Sequence, residues 1–152
     1  VHKLSCFLGI KTHTGLSLLV EVGDFTRFSR ADSFASYLGL TPGEQSSGDT
    51  IRRGGITKSG NKELRRLLVE AAQAIGRGRI GYKSIALKAR QKGNDPKVIA
   101  YADRANERLR RKFYRMTRQG KKHNVAITAI ARELACFIWG MMTNHLDVRQ
   151  AG

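Results

Sequence analysis

Apolar residues recur at three- and four-residue steps over most of this chain, a period that predicts helices. The clearest run is residues 96–119. Val98, Ala102, Ala105, Leu109, Phe113 and Met116 form one stripe, Asp95 is placed to cap it, Pro96 suits its first position and Gly120 ends it. A second stripe, Leu64, Leu67, Leu68, Ala71, Ala72 and Ile75, predicts a helix over 62–75 with Asn61 as N-cap and Glu63 in its first turn. Residues 123–144 are apolar almost all round. A membrane span is opposed by Arg132 and Glu133 near the middle, since charge there is costly in lipid. A central buried helix, with Trp139, Met141 and Met142 in the core, is the better reading.

Shorter elements precede these. Residues 30–40 fit a helix with Phe34, Tyr37 and Leu38 on one face, stopped by Gly39 and Pro42. Gly23 and Asp24 mark a turn before the core anchors Phe25 and Phe28. A short helix is predicted over 84–92, ended by Gly93 and Asn94. Residues 4–22 read as the end of one helix, a stop at Gly9, and a second helix from Thr12 or Thr14 to Val22. Two readings stand for this pair: a helix-hairpin-helix that aims backbone N–H groups at a DNA phosphate, or a plain helical hairpin. Lys11 occupies the place of that motif's second glycine. The predicted fold is mainly α. It is a small helical domain with a helix-hairpin-helix-like N-terminal part, a long polar glycine/serine loop and two long C-terminal helices. It divides into residues 1–95 and a helical hairpin over 96–152, basic then apolar.

Composition narrows the class. With 152 residues and 41% hydrophobic content the chain can bury a real core. Cys6 and Cys136 each neighbour a phenylalanine and read as buried free thiols. The four histidines are scattered, no zinc spacing occurs, and no metal site is expected in this chain. The chain begins with valine and shows no leader pattern, so a piece of a longer cytosolic protein is expected.

Charge changes the picture most. The net charge is +16. Residues 1–50 hold four basic and five acidic side chains, which leaves 24 basic and 7 acidic of the chain's 28 and 12 for the remainder. Such asymmetry points to a polyanion, and nucleic acid is favoured because no amphipathic anchor or lipidation motif supports a membrane partner. Arg104, Arg108, Arg111, Arg115 and Arg118 share a helix face distinct from the apolar stripe. A solvated, partly ion-paired surface is the bland reading. Few acids are available to pair with the row, so a face that meets phosphates is preferred.

The candidate chemistry lies in residues 41–61, TPGEQSSGDTIRRGGITKSGN. Five glycines allow close backbone approach, Ser46 and Ser47 carry hydroxyls, and Arg52, Arg53 and Lys58 suit phosphate. A nucleotide P-loop is excluded: the run from Gly55 to Gly60 has the glycine spacing, but no lysine and hydroxyl residue follow it. A passive phosphate-binding loop and a nucleophilic serine both remain. The second requires a base or metal that the local residues do not offer. Lys62, Arg65 and Arg66 follow in the first turns of the next helix and could add positive charge.

Several ordered motifs here resemble the C-terminal domain of the bacterial insertion-sequence transposases of the one-ten, one-sixteen and nine-oh-two group. The matching pieces are Gly9, Glu21 to Asp24, Gly39 to Pro42, Ser47-Gly48, Gly55 to Asn61, and Leu64 to Ala72, about half the chain. The resemblance implies a DNA recombinase guided by a structured RNA, with a homo-oligomeric full-length form. It implies that Ser47, or Ser46 if the register slips by one, attacks a DNA phosphodiester. It also implies that Mg²⁺ and its carboxylates belong to an N-terminal domain outside this chain. Lys11 and Thr12 depart from the family's hairpin.

Overall fold

The apolar stripes converge on one helix. The computed structural model describes residues 1–40 and 59–146, with the side chains of 59–61 left aside. Six α-helices and two 3-10 turns make up the described residues, with no strand among them. In chain order the helices are α1 (Thr12–Val22), α2 (Ala31–Tyr37), α3 (Ser59–Gly76), α4 (Ile85–Gln91), α5 (Pro96–Arg118) and α6 (His123–Met142). α6 packs against α2, α3 and α5, so it is the axis of the bundle. It has the length and composition to cross a membrane. Here most of its apolar surface is covered by other helices, as Ile130, Leu134, Phe137 and Ile138 show.

The predicted stripes are the buried ones. Leu64, Leu68, Ala72 and Ile75 of α3 are fully covered, as are Ala102, Ala105 and Leu109 of α5. Asp95 accepts from the Lys97 N–H at 2.8 Å and Pro96 opens α5, the predicted cap. Ser84 likewise caps α4 by accepting from the Leu87 N–H at 3.1 Å. Both cysteines are buried and free. Burial pushes the Cys136 thiol up to about 11, which keeps it protonated and unreactive at neutral pH. One core cluster runs from Leu4 to Met141 through both predicted segments.

Four local readings are corrected. A three-residue 3-10 turn, Leu4–Cys6, stands where the end of a first helix was predicted. α1 has Lys11 at its N-cap position without a side-chain cap, and Thr12 is its first residue. α3 begins at Ser59, so Asn61 lies inside the helix and not at its cap position. Of the predicted core residues of α6, Met141 is buried, whereas Trp139 and Met142 are only partly buried. The Trp139 indole N–H donates to the Phe28 carbonyl at 3.0 Å, and its ring stacks on His145 at 4.9 Å. Gly9 explains the N-terminal packing. Its φ is +88°, and a Cβ there would sit 2.7 Å from the Ala71 carbonyl oxygen, so only glycine lets this turn lie on α3.

The turn is also held by side chains from far along the chain. Arg90 donates to the carbonyls of Ser5 and Phe7, each at 3.2 Å. Gln91 donates to the Cys6 carbonyl at 3.1 Å, and Asn106 accepts from the Leu8 N–H at 3.0 Å. Asp103 joins Lys83 and Gln91 into the same network, at 2.7 and 2.9 Å. Backbone groups that no helix pairs are satisfied here by the buried Gln91 and Asn106 and the half-buried Arg90.

Candidate nucleic-acid interface

Ser46, Ser47, Arg52, Arg53 and Lys58 lie outside the described residues. The structure does define what precedes and follows their loop. α2 closes with Gly39 at φ +74°, where the Gly39 N–H donates to the Ser36 carbonyl and the Leu40 N–H to the Ala35 carbonyl, both at 2.9 Å. This paired closure satisfies the last carbonyls of the helix. Leu40 is buried, so the last described residue before position 41 belongs to the core.

On the far side of the loop the predicted cations differ in what they can do. Lys62 is exposed. Arg65 lies over Gly39: a Cβ on that glycine would meet its Nη1 at 2.5 Å. The guanidinium thus packs on the turn that closes α2. Arg66 is engaged elsewhere, with Nη2 on Glu63 and Nη1 on Glu70, each at 2.5 Å. Of the three, Arg66 has its charge offset by two carboxylates.

All five arginines of the predicted row on α5 are exposed. Two have carboxylate partners. Arg111 meets Glu107 at 3.1 Å, one turn back. The Arg108 Nε donates to Glu133 at 2.8 Å, and Lys112 binds the other oxygen of the same carboxylate. Glu133 comes from α6, and its side chain is 4% exposed. Burial pushes its carboxyl up. The hydrogen bonds and charges of Lys112 and Arg108 outweigh this and hold it below the usual carboxylate range. Arg104 and Arg115 have no carboxylate partner among the described residues. The Arg118 guanidinium lies 5.5 Å from the Tyr114 ring. The row is thus split: its middle members are partly neutralised and its two ends keep their charge.

Sequence reasoning missed Arg110, the one buried arginine of this helix among the described residues. Its Nη1 donates to the carbonyls of Arg79 and Tyr82 at 2.9 and 2.7 Å, and its Nε donates to the Ile75 carbonyl at 3.4 Å. It pins the segment after α3 onto α5. A methyl group built on Gly78 would overlap its guanidinium, so Gly78 leaves room for this latch. The available signal was the clustering of Gly76, Gly78 and Gly81 beside a helix with more arginines than one face holds.

Among the described residues no group of three or more His, Cys, Asp or Glu could hold a metal ion.

Fold and surface together define a mainly helical domain with the charge distribution of a polyanion-binding protein. The sequence profile of the Transposase IS116/IS110/IS902 family matches residues 1–86. The chain belongs to that family. It is 37% identical over 142 residues to a putative transposase of Sinorhizobium fredii, covering 93% of this chain and 36% of the relative. It is 30% identical over 145 residues to an insertion element IS110 protein of Streptomyces coelicolor, covering 93% of this chain and 29% of that one. A pilin gene-inverting protein of Moraxella bovis is 37% identical over 101 residues, 65% of this chain and 31% of that protein. The chain spans about a third of the length of these curated relatives. No solved structure matches it.

Proposed function

We propose that this chain is the serine-bearing, nucleic-acid-binding part of an insertion-sequence transposase, with Ser47 as its nucleophile. The family match carries the reading, because it runs through residues 1–86 and so includes Ser47. In this reading the Ser47 Oγ attacks a DNA phosphodiester. A P–Oγ bond forms as one P–O bond to the sugar breaks. The serine proton goes to a base outside the described residues, and the departing sugar oxygen takes up a proton, from that protonated base or from water, and leaves as a hydroxyl. The phosphoserine link keeps the phosphodiester count constant, so a second strand's hydroxyl can reverse the step and complete strand transfer. Arg52, Arg53 and Lys58 meet the charge developing on phosphorus. Lys62 and Arg65 extend that positive surface onto α3, and the unpaired ends of the α5 row hold the DNA backbone.

A structured guide RNA, a homo-oligomeric full-length form and a bacterial cytoplasmic setting complete the proposal. Mg²⁺ belongs, in this reading, to the larger part of the protein outside the chain. The test is a denaturation-resistant protein–DNA adduct, formed by the full-length protein with guide RNA and target DNA. Ser47→Ala is expected to abolish it while DNA binding persists. An adduct that survives Ser47→Ala removes the nucleophile assignment. Loss with Ser46→Ala alone moves the register by one. A wild-type protein that binds but never forms an adduct is a non-catalytic binding module.

A further inference from the structure

The segment joining α3 to α4 has a role that the serine loop and the α5 row leave unassigned. It borders a cavity of about 590 Å³ lined by Arg77, Gly78, Arg79, Tyr82, Ser84 and Arg110. The cavity is a depression open to solvent, not an enclosed pocket. Arg77 and Arg79 are exposed, whereas Arg110 is 7% exposed. The Nε and Nη1 of Arg110 are spent on backbone carbonyls. Its Nη2 has no hydrogen-bond partner among the described residues, and no carboxylate there forms an ion pair with it. The nearby acid is already engaged: Glu107 accepts from the Gly81 N–H at 3.1 Å and pairs with Arg111. Lys83 is turned away to Gln91 and Asp103. Three guanidinium groups therefore border one cavity with little local negative charge, which suits a phosphate.

Tyr82 adds the second half of the argument. It is 55% exposed, so part of its ring is accessible from solvent. The Arg79 guanidinium carbon stands 5.9 Å from its ring centroid. An exposed aromatic ring beside guanidinium groups is the pairing that single-stranded nucleic acid uses: phosphates meet cations and an unpaired base stacks on the ring. A base inside a duplex already has stacking neighbours on both faces.

We propose that the cavity bordered by Arg77, Arg79, Tyr82 and Arg110 binds an unpaired nucleotide of a single strand, its phosphate on the guanidinium groups and its base on Tyr82. The site uses neither Ser47 nor the α5 row, so it stands or falls apart from the transposase reading. A DNA strand and an RNA strand offer the same phosphate and base.

The experiment measures fluorescence anisotropy of labelled oligothymidine, oligouridine and a short DNA duplex with the full chain, comparing wild type, Tyr82→Phe and Tyr82→Ala. Stacking on one aromatic residue predicts that Tyr82→Ala weakens single-strand binding about fivefold to a hundredfold. Tyr82→Phe keeps it, and duplex binding is unchanged in both variants. The strand that loses more affinity identifies the source. Equal loss for duplex and single strand, or no loss for either single strand, overturns the proposal. Photocrosslinking of a halogenated pyrimidine strand to wild-type protein supplies a readout that needs no variant. The modified peptide should contain Tyr82, and a crosslink confined to other segments overturns the site.

Discussion

Gly78→Ala is the most informative single change in this domain. The added methyl overlaps the Arg110 guanidinium, which is not a free surface group but a donor to three carbonyls. Either the guanidinium or the segment carrying Gly78 has to move, and the bonds to Arg79 and Tyr82, at 2.9 and 2.7 Å, go first. A hydrogen bond with a charged partner contributes about 1.5–3 kcal/mol. Partial resolvation of the displaced guanidinium returns some of that. The lower chain entropy of unfolded alanine offsets a further 0.4–1 kcal/mol or so. The expected net loss is about 2–3 kcal/mol, and at about 2–4 °C per kcal/mol for a domain of this size it lowers Tm by roughly 5–10 °C. Urea melts of Gly78→Ala, Arg110→Met and the double variant isolate the interaction. With the guanidinium gone the methyl has room, so Gly78→Ala should cost far less in the Arg110→Met background, a coupling of about 1–2 kcal/mol. Equal cost in both backgrounds refutes the latch.

Other expectations follow from the same geometry. Gly9→Ala, with φ at +88° and its Cβ 2.7 Å from the Ala71 carbonyl oxygen, should lose about 2–3 kcal/mol in a denaturant melt, and a near-neutral result would show that the turn can lift off α3. Neutralising Arg104, Arg115 and Arg118 to glutamine should flatten the plot of log affinity against log salt for duplex DNA by about 0.9 for each phosphate the protein no longer neutralises. Arg66→Gln should change it least, because Glu63 and Glu70 already offset that charge; a larger effect at Arg66 than at the triple would reverse the assignment. Glu133, whose folded carboxyl titrates below its ordinary value of 4.5, contributes stability that is present above that pH and is lost as pH falls through the lower folded value. Glu133→Gln should therefore lower stability at neutral pH by about 1.5–3 kcal/mol and remove part of the acid-side slope, which a pH series of thermal melts would read.

Much of the fold was legible because burial obeys a period. Leu64, Leu68, Ala72 and Ile75 could only share a face as a helix, and Asp95-Pro96 announces the start of one. What was not legible depends on partners distant in sequence. Glu133 reads as a charge out of place in an apolar helix until α5 supplies Arg108 and Lys112. Arg110 lies among the arginines of α5 but outside their spaced row, and it is buried because the carbonyls of Ile75, Arg79 and Tyr82 receive it. Asn61 has the right residue type for a cap, but the helix extends past it to Ser59. The same limit governs the candidate site. Its cations were readable as residue types, whereas Arg66 and Arg111 proved to be paired and Arg65 to sit over Gly39, distinctions that only three-dimensional neighbours create.

The hydrogen bonds that Arg90 and Gln91 donate to the carbonyls of residues 5–7, and that Asn106 accepts from the Leu8 N–H, also set an order of events during synthesis. The donors and acceptors that lock the first turn are 83 to 98 residues further along the chain. At about 5–20 residues per second, the ribosome delivers them some 4–20 s after the turn itself has been made. Throughout that interval the buried face of Leu4, Phe7 and Ile10 has no finished surface to close on. The first part of this chain to be translated is therefore among the last to be secured. A nascent domain halted before Asn106 would present that apolar turn to chaperones and not to its own core.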